Sequence, residues 1–342
     1  MRKKMKKCML FLTMSMAAML LCSCGGSDDS AAEDATAQSQ ELQKVTVILD
    51  WTANPNHAGM YVAKDQGYYE EAGLDVEIVE PTDGATPTLI AQGKGDFGIS
   101  YQEDVTIALT SEDPLPIKTI ATIMQHNTSG FVSLAGSGIE SPKDFEGKTY
   151  AGWAGAGESA VLEGVMTEDG ADFSKLNMVV SDGSGFESLG KSCDLMWFFE
   201  GSWDYVMAEK NGVHLDYLPC NELDERLDYY TPVIITSDSL IEEDPELVKA
   251  FLDATSKGYE YSVDHVEETV EILSAAMPDY EEDVLTQIQQ YLSGKYIDDA
   301  SQWGIMEDDR WDNYTEFLNE YGVIDQTIPA SDCYTNEFLP ER

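Results

Sequence analysis

Six aromatic residues, Trp51, Tyr101, Trp153, Phe186, Phe199 and Trp203, stand where the surrounding sequence reads as loop or strand end, more than core packing needs at such places. Aromatic faces hold a flat, neutral heteroaromatic ring by dispersion and stacking, and a few polar groups then read its nitrogens. Asp50, Asn54, His57, Gln102, Glu103, Glu158 and Glu200 neighbour these aromatics in the chain and are the candidate polar readers. An amide facing a ring nitrogen and a carboxylate facing an amino group form a complementary edge. Trp51 follows an apolar strand and would serve equally to cap a core, and Glu200 has the alternative of a solvated surface acid. Trp153 lies in Gly152-Trp153-Ala154-Gly155-Ala156-Gly157, where missing side chains let backbone approach a ligand. Glycines ahead of a helix also resemble a phosphate cradle, but the Lys-Ser/Thr pair of a nucleotide loop is absent. His126, His214 and His265 are scattered, and no His/Cys/Asp spacing suggests a metal site.

A chain that alternates strand and helix patterns from Lys44 onward must position these residues. Residues 45–49, 76–79 and 97–100 read as strands, and 59–66, 86–92 and 104–110 as helices. This repetition argues for parallel strands joined by right-handed crossovers, whose carboxyl ends collect ligands. Those ends carry Asp50-Trp51-Thr52-Ala53-Asn54, Pro81-Thr82-Asp83-Gly84 and Ser100-Tyr101-Gln102-Glu103. A second α/β set opens with a strand at 131–134, a short helix at Ser141-Pro142-Lys143-Asp144-Phe145 and a strand at 148–152, then a helix from Glu158. Residues 233–236 read as a strand, and 246–264 and 266–276 as helices that pack back on the first set. The chain is expected to cross twice between two lobes, near 125–130 and 230–237, giving lobe I as 44–128 with 235–342 and lobe II as 129–234.

Composition bounds the partners. The basic run Arg2, Lys3, Lys4, Lys6 and Lys7, an apolar stretch from Met9 to Leu21 and then Leu21-Cys22-Ser23-Cys24 read as a secretory signal over 1–23. It ends in a lipobox with Cys24 as the lipid-bearing residue, because Ser23 is small enough to precede the cleavage site. The apolar stretch is only about 13 residues, short of the roughly 20 that span a bilayer. The expected mature protein is soluble, monomeric and held at the outer face of the cell membrane by acyl chains, with 24–43 a flexible Ser/Ala/Gln-rich tether. Removing five of the 20 basic residues and none of the 64 acidic ones leaves a formal charge of about −49. Such a surface repels phosphate backbones and excludes nucleic acid as a partner. Of six cysteines, four would remain, so no dense disulfide framework is available. Cys193 and Cys220 are left either as a bridge or as separate buried thiols.

The segment Leu49-Asp50-Trp51-Thr52-Ala53-Asn54-Pro55-Asn56-His57-Ala58-Gly59-Met60-Tyr61-Val62-Ala63, followed by Gly67-Tyr68-Tyr69 and Glu71-Ala72-Gly73-Leu74-Asp75-Val76, resembles the opening of the thiamine-pyrimidine family. Gly93-Lys94-Gly95-Asp96-Phe97-Gly98-Ile99-Ser100, the stretch from Gly138 to Lys148 and Asn336-Glu337-Phe338-Leu339-Pro340 extend the resemblance over nearly the whole mature chain. That family comprises solute-binding proteins of ABC importers and a yeast pyrimidine synthase. The resemblance implies an α/β, type II periplasmic-binding fold whose two lobes close on a ligand by hinge motion. It also implies capture of a thiamine pyrimidine precursor, of hydroxymethylpyrimidine or formylaminopyrimidine type, for delivery to an ABC permease. Glu200, in Trp197-Phe198-Phe199-Glu200-Gly201-Ser202-Trp203, matches a family stretch where a lobe meets the ligand. Ala53 stands where relatives tend to carry proline, which leaves riboflavin or another flat ring as the alternative ligand. Alkanesulfonate or nitrate receptors of this fold would want Arg or Lys in the cleft, and none lies among the candidates.

Two other classes compete. A synthase needs a lysine to carry pyridoxal phosphate as a Schiff base, and the matching position reads Ser100-Tyr101-Gln102. The synthase's cysteine cluster is replaced by Asp228-Tyr229-Tyr230-Thr231-Pro232-Val233. His57 matches the histidine that the yeast synthase consumes, whereas in a binder it can only exchange hydrogen bonds. We therefore expect no enzyme and no cofactor. A structural or adhesive lipoprotein would need nothing beyond the acidic surface, and aromatics at strand ends argue against it.

Overall fold

The computed structural model describes residues 41–341, apart from 83 and 84. The expected signal, Cys24 and nearly all of the tether lie outside the described residues. The first stretch runs β1 (Gln43–Ile48), α1 (Ala58–Asp65), α2 (Tyr68–Glu71), β2 (Leu74–Val79), α3 (Thr86–Ala91), β3 (Phe97–Ser100), α4 (Gln102–Thr110) and β4 (Ile117–Thr122). The next comprises β5 (Ser129–Leu134), β6 (Thr149–Gly152), α5 (Ala156–Glu168), β7 (Asn177–Val180), β8 (Leu195–Phe199), α6 (Trp203–Lys210), β9 (Leu215–Pro219) and α7 (Cys220–Leu223). The chain then returns through β10 (Val233–Ser237) and closes with α8 (Asp238–Glu243), α9 (Pro245–Asp264), α10 (Val266–Ala276), α11 (Glu282–Leu292), α12 (Asp308–Glu320) and α13 (Ala330–Cys333).

Two five-stranded sheets result, in the orders β2-β1-β3-β10-β4 and β7-β6-β8-β5-β9. Strands β1, β2 and β3 are parallel, as are β6, β7 and β8. The expectation of purely parallel strands fails at one strand per sheet: β10 is antiparallel to β3 and β4, and β5 is antiparallel to β8 and β9. Both are the first strand after a passage from one sheet to the other. A chain that leaves one sheet at its carboxyl edge enters the next at that same edge, so the entering strand runs away from the gap between them. Strands β4, β7, β8 and β9 carry no clear period in sequence; the run Leu195-Met196-Trp197-Phe198-Phe199 is continuously apolar because its sheet is covered on both faces.

The first sheet is packed on one side by α1, α9, α10 and α11 through Val47, Met60, Phe251, Leu252 and Ile288, and on the other by α3, α4 and α13 through Ile90, Val105, Ile235 and Cys333. The second sheet has its own two layers, around Phe145, Val161 and Leu195 and around Val132, Phe186 and Phe198. Helix α12 corrects the expectation that the carboxyl-terminal portion packs only on the first set. Trp311 belongs to the core around Val233 and Ile235, while Tyr314, Phe317 and Leu318 belong to the core around Phe131 and Val161. Apolar residues at spacings of three and four form one stripe along 13 residues, about 20 Å, long enough to touch both cores.

Helices α1 and α9 cross at glycines: a Cβ on Gly258 would lie 1.9 Å from the Gly59 carbonyl oxygen, and one on Gly59 would strike the Tyr259 ring. Cys193, Cys220 and Cys333 are free and buried, which leaves separate thiols rather than a Cys193–Cys220 bridge. Among the described residues no helix is long and apolar enough to cross a membrane.

Candidate functional site

The carboxyl ends of β1, β3, β6 and β8 converge on a cavity of about 480 Å³ between the two sheets. Trp51 and Tyr101 enter from the first sheet, Trp153, Trp197 and Phe199 from the second, and Tyr229 and Thr231 from the returning passage. Trp51 is 70% exposed and Trp153 57%, and with Phe199 and Trp203 they are among the few large apolar side chains left open to solvent. Exposed aromatics gathered at one concave place mark a binding surface rather than a core. Trp153 and Trp197 lie with ring centroids 5.3 Å apart. Trp197 was not singled out in sequence, although alternation along β8 sets it on the same face as Phe199.

The polar floor is built at the end of β1. Asn54 caps a short turn over Pro55–His57, accepting the Asn56 N–H at 3.0 Å, while its own N–H donates to His57 Nδ1 at 3.2 Å. The ring proton is therefore on Nε2, which donates to Asp50 Oδ1 at 2.7 Å. The Tyr101 hydroxyl donates to Asp50 Oδ2. Burial opposes ionisation of Asp50, but the hydrogen bonds from His57 and from the Tyr101 hydroxyl outweigh it and hold the carboxyl below its usual range. His57 has no exposed surface and does not line the cavity. It orients Asp50 and does not itself face a ligand. The turn is pinned from behind, where Tyr259 and Tyr296 donate to the carbonyls of Asn56 and Pro55 at 2.8 and 3.0 Å.

The glycine-rich loop is occupied by the protein's own anion. Glu158, fully buried, accepts from the Trp153 N–H at 3.0 Å, the Gly155 N–H at 3.1 Å and the Tyr150 hydroxyl at 2.6 Å. A Cβ on Gly152 would fall 1.7 Å from its Oε1, so that glycine makes room for the carboxylate. Glu158 thus stands where a phosphate would sit and sets the pose of Trp153, instead of reading a ligand as expected.

Glu103 and Asp104 open α4 and line the cavity beside Asp50. Glu103 accepts from the Tyr314 hydroxyl at 2.8 Å and presses on the first turn of α5, where a Cβ on Gly157 would come within 2.3 Å of it. Burial, opposed by Tyr314 and reinforced by Asp104 and Glu158, pushes the Glu103 carboxyl up to about 6. Burial and the charge of Asp50 raise Asp104 as well. None of the described residues lining this cavity is Lys or Arg.

The remaining candidates fall elsewhere. Gln102 is buried, accepting from the Tyr230 N–H at 2.8 Å and donating to the Arg310 carbonyl at 3.3 Å, so it ties the returning passage to α4. Asn54, Glu200 and Trp203 line an adjoining pocket of about 250 Å³ that shares Asp50, Trp51, Tyr101 and Phe199 with the main cavity. Glu200 accepts from the Tyr291 hydroxyl at 2.6 Å, a link between β8 and α11. Phe186 packs in the second lobe's outer core and borders an open depression of about 850 Å³ that adjoins the main cavity at Trp153, Trp197 and Phe199. Adjacency in sequence could not separate these two sides of β8.

Behind the cavity the two passages, 123–128 and 220–232, are laced together. Asp228 accepts the Asn127 N–H at 2.9 Å and Asn127 Nδ2 donates to the Leu227 carbonyl at 2.7 Å. His126 lies between Asp228, 2.7 Å from Nδ1, and Asp299, 3.0 Å from Nε2. His126, Asp298 and Asp299 bring ligating atoms within 4.8 Å, a grouping that the sequence separation of these residues conceals. The imidazole already has a carboxylate at each nitrogen, which makes this an ion-pair cluster at the hinge.

The chain matches the NMT1/THI5-like family over residues 54–269. It is similar to the formylaminopyrimidine-binding protein of Halalkalibacterium halodurans, 26% identical over 337 residues that cover 95% of this chain and 97% of that one. It is equally similar to the 4-amino-5-hydroxymethyl-2-methylpyrimidine phosphate synthase of Legionella pneumophila, 27% identical over 318 residues covering 89% and 95%. The periplasmic aliphatic sulphonate-binding protein SsuA of Escherichia coli superposes with a TM-score of 0.66 at 12% identity, covering 88% of this chain and 94% of that one, which shows the fold alone. With a family match spanning most of the described residues and two α/β lobes around an aromatic cavity, the protein belongs to the NMT1/THI5-like family and has the type II periplasmic-binding fold.

Proposed function

We propose that this protein is an extracytoplasmic solute-binding lipoprotein, anchored through Cys24, that captures a thiamine pyrimidine precursor and delivers it to an ABC permease. Lobe I (44–128 with 235–342) and lobe II (129–234) close on the ring by hinge motion. The observation that carries the reading is the cavity walled by Trp51, Trp153, Trp197 and Phe199, with the Asp50 carboxylate aimed by His57 and Tyr101 as acceptor for an amino group. Similarity to a formylaminopyrimidine-binding protein supports the ligand class.

The family also contains proteins named as synthases, so the choice rests on the site. No lining residue of the cavity is a lysine that could carry pyridoxal phosphate. His57, sealed behind Asp50 with both nitrogens engaged, is built to stay in place. These features support binding over synthesis.

Calorimetric titration of the mature protein with hydroxymethylpyrimidine and formylaminopyrimidine tests this. Ligand at a hundredfold excess over Kd should add about 2.7 kcal/mol to stability. Trp51→Ala should weaken binding at least tenfold, about 1.4 kcal/mol, while leaving the melting temperature of the empty protein nearly unchanged. Binding of riboflavin in place of either pyrimidine would favour the alternative ligand. Formation of a pyrimidine product from pyridoxal phosphate, read by mass spectrometry, would overturn the binding role.

A further inference from the structure

The acidity of the cavity exceeds what a neutral ring requires. One carboxylate facing an amino group completes an aminopyrimidine's edge, yet Asp50, Glu103 and Asp104 all line the same space and no lining residue is basic. Asp50 is satisfied by His57 and Tyr101, and Glu103 by Tyr314. The Asp104 carboxylate takes part in no hydrogen bond or ion pair among the described residues, although it is half-buried at the start of α4. Carboxylates crowded into a partly dry space without a counter-charge are costly, and an occupant that supplies the charge relieves that cost. The same space presents the faces of Trp51, Trp153 and Trp197, the aromatic surfaces that best attract a cation.

We propose that the ligand is bound as a flat cation, its positive charge carried on the ring and set between the indole walls and the Asp50–Asp104 side of the cavity. This deepens the reading of the cavity as the ligand site and rests on it. Burial first, and then the charges of Asp104 and Glu158 on Glu103 and of Asp50 on Asp104, raise these two carboxyls, and such a charge would relieve both effects. The excess of 64 acidic over 20 basic residues in the whole chain draws cations toward the molecule in the same sense.

Two calorimetric measurements on the mature protein test the proposal. The first compares nicotinamide with 1-methylnicotinamide, rings of nearly equal size that differ by a fixed positive charge. The cation should bind at least tenfold more tightly, and Asp104→Asn or, independently, Glu103→Gln should cut that preference at least threefold. The second titrates hydroxymethylpyrimidine at pH 8 in buffers of differing ionisation enthalpy. Uptake of close to one proton per ligand is expected, at a pH where Glu103 is already ionised. Equal or weaker binding of the cation, a preference untouched in both variants, or pyrimidine binding without proton uptake would overturn the proposal while leaving the pyrimidine-binding role intact. A preference for the cation with no pyrimidine bound would uphold the proposal and overturn that role. Failure of every probe to bind would overturn both.

Discussion

Glu103 makes the clearest prediction at the scale of single residues, because its carboxyl is pressed between α4, α5 and Tyr314 with no Lys or Arg among the described residues lining the cavity. Its ordinary value of 4.5 rises to about 6 in the fold. An acid with a raised folded value holds its proton in the native state where the unfolded chain has already released it. Stability therefore grows as pH falls from about 6 toward 4.5, and above about 6 the ionised group costs about 2 kcal/mol. We expect Glu103→Gln to stabilise the empty protein by up to that amount at pH 7.5 and to be neutral below pH 4.5. Urea denaturation across this range reads the difference directly. Sequence placed Glu103 near the ligand from its neighbours alone; its pressure on Gly157 joins residues 54 positions apart and could be found only in three dimensions.

At the scale of elements, two close approaches hold the site in position. Glu158 satisfies three donors at the start of α5. Glu158→Ala strands them in a buried place and should cost about 3 kcal/mol or more in chemical denaturation. Because Trp153 hangs on that carboxylate, the same variant should weaken ligand binding, whereas Glu158→Gln retains one acceptor and should do less of both. The crossing of α1 and α9 is the second. In Gly258→Ala the new methyl meets backbone at Gly59, which cannot swing away. A loss of about 2–3 kcal/mol, roughly 5 °C in melting temperature by scanning calorimetry, is expected. The helices of the opening half and β2 were legible because each has one buried face, and β3, buried at all four positions, because it is a short apolar run. Strands β7, β8 and β9 were not, since a strand covered on both faces or lying at an edge shows no alternation.

At the scale of the whole molecule the hinge is a charged joint. The hydrogen bond to Asp228, and further the charge of Asp228 and the hydrogen bond to Asp299, raise His126 against the opposing effects of burial and Arg310. A base whose folded value is raised contributes stability that is complete below its ordinary value of 6.5 and is lost as pH rises through the folded value. His126→Gln should flatten the decline in stability from pH 6.5 upward, read by thermal melts over that interval. Helix α12 shares its stripe between the cores of both lobes, so the proposed closure would require it to flex or slide.

The order of chemical groups along the chain was enough to give two α/β lobes, a cleft with aromatic walls between them and an acidic surface, because each of these follows from local period, residue type and charge. The partition of roles among the polar candidates was decided by tertiary structure alone. His57 and Glu158 became supports, Gln102 became a strut, and Trp197 and Asp104 joined the cavity. Whether a side chain faces a ligand or another side chain depends on which surfaces distant segments bring opposite it, and a one-dimensional spacing carries no record of that direction.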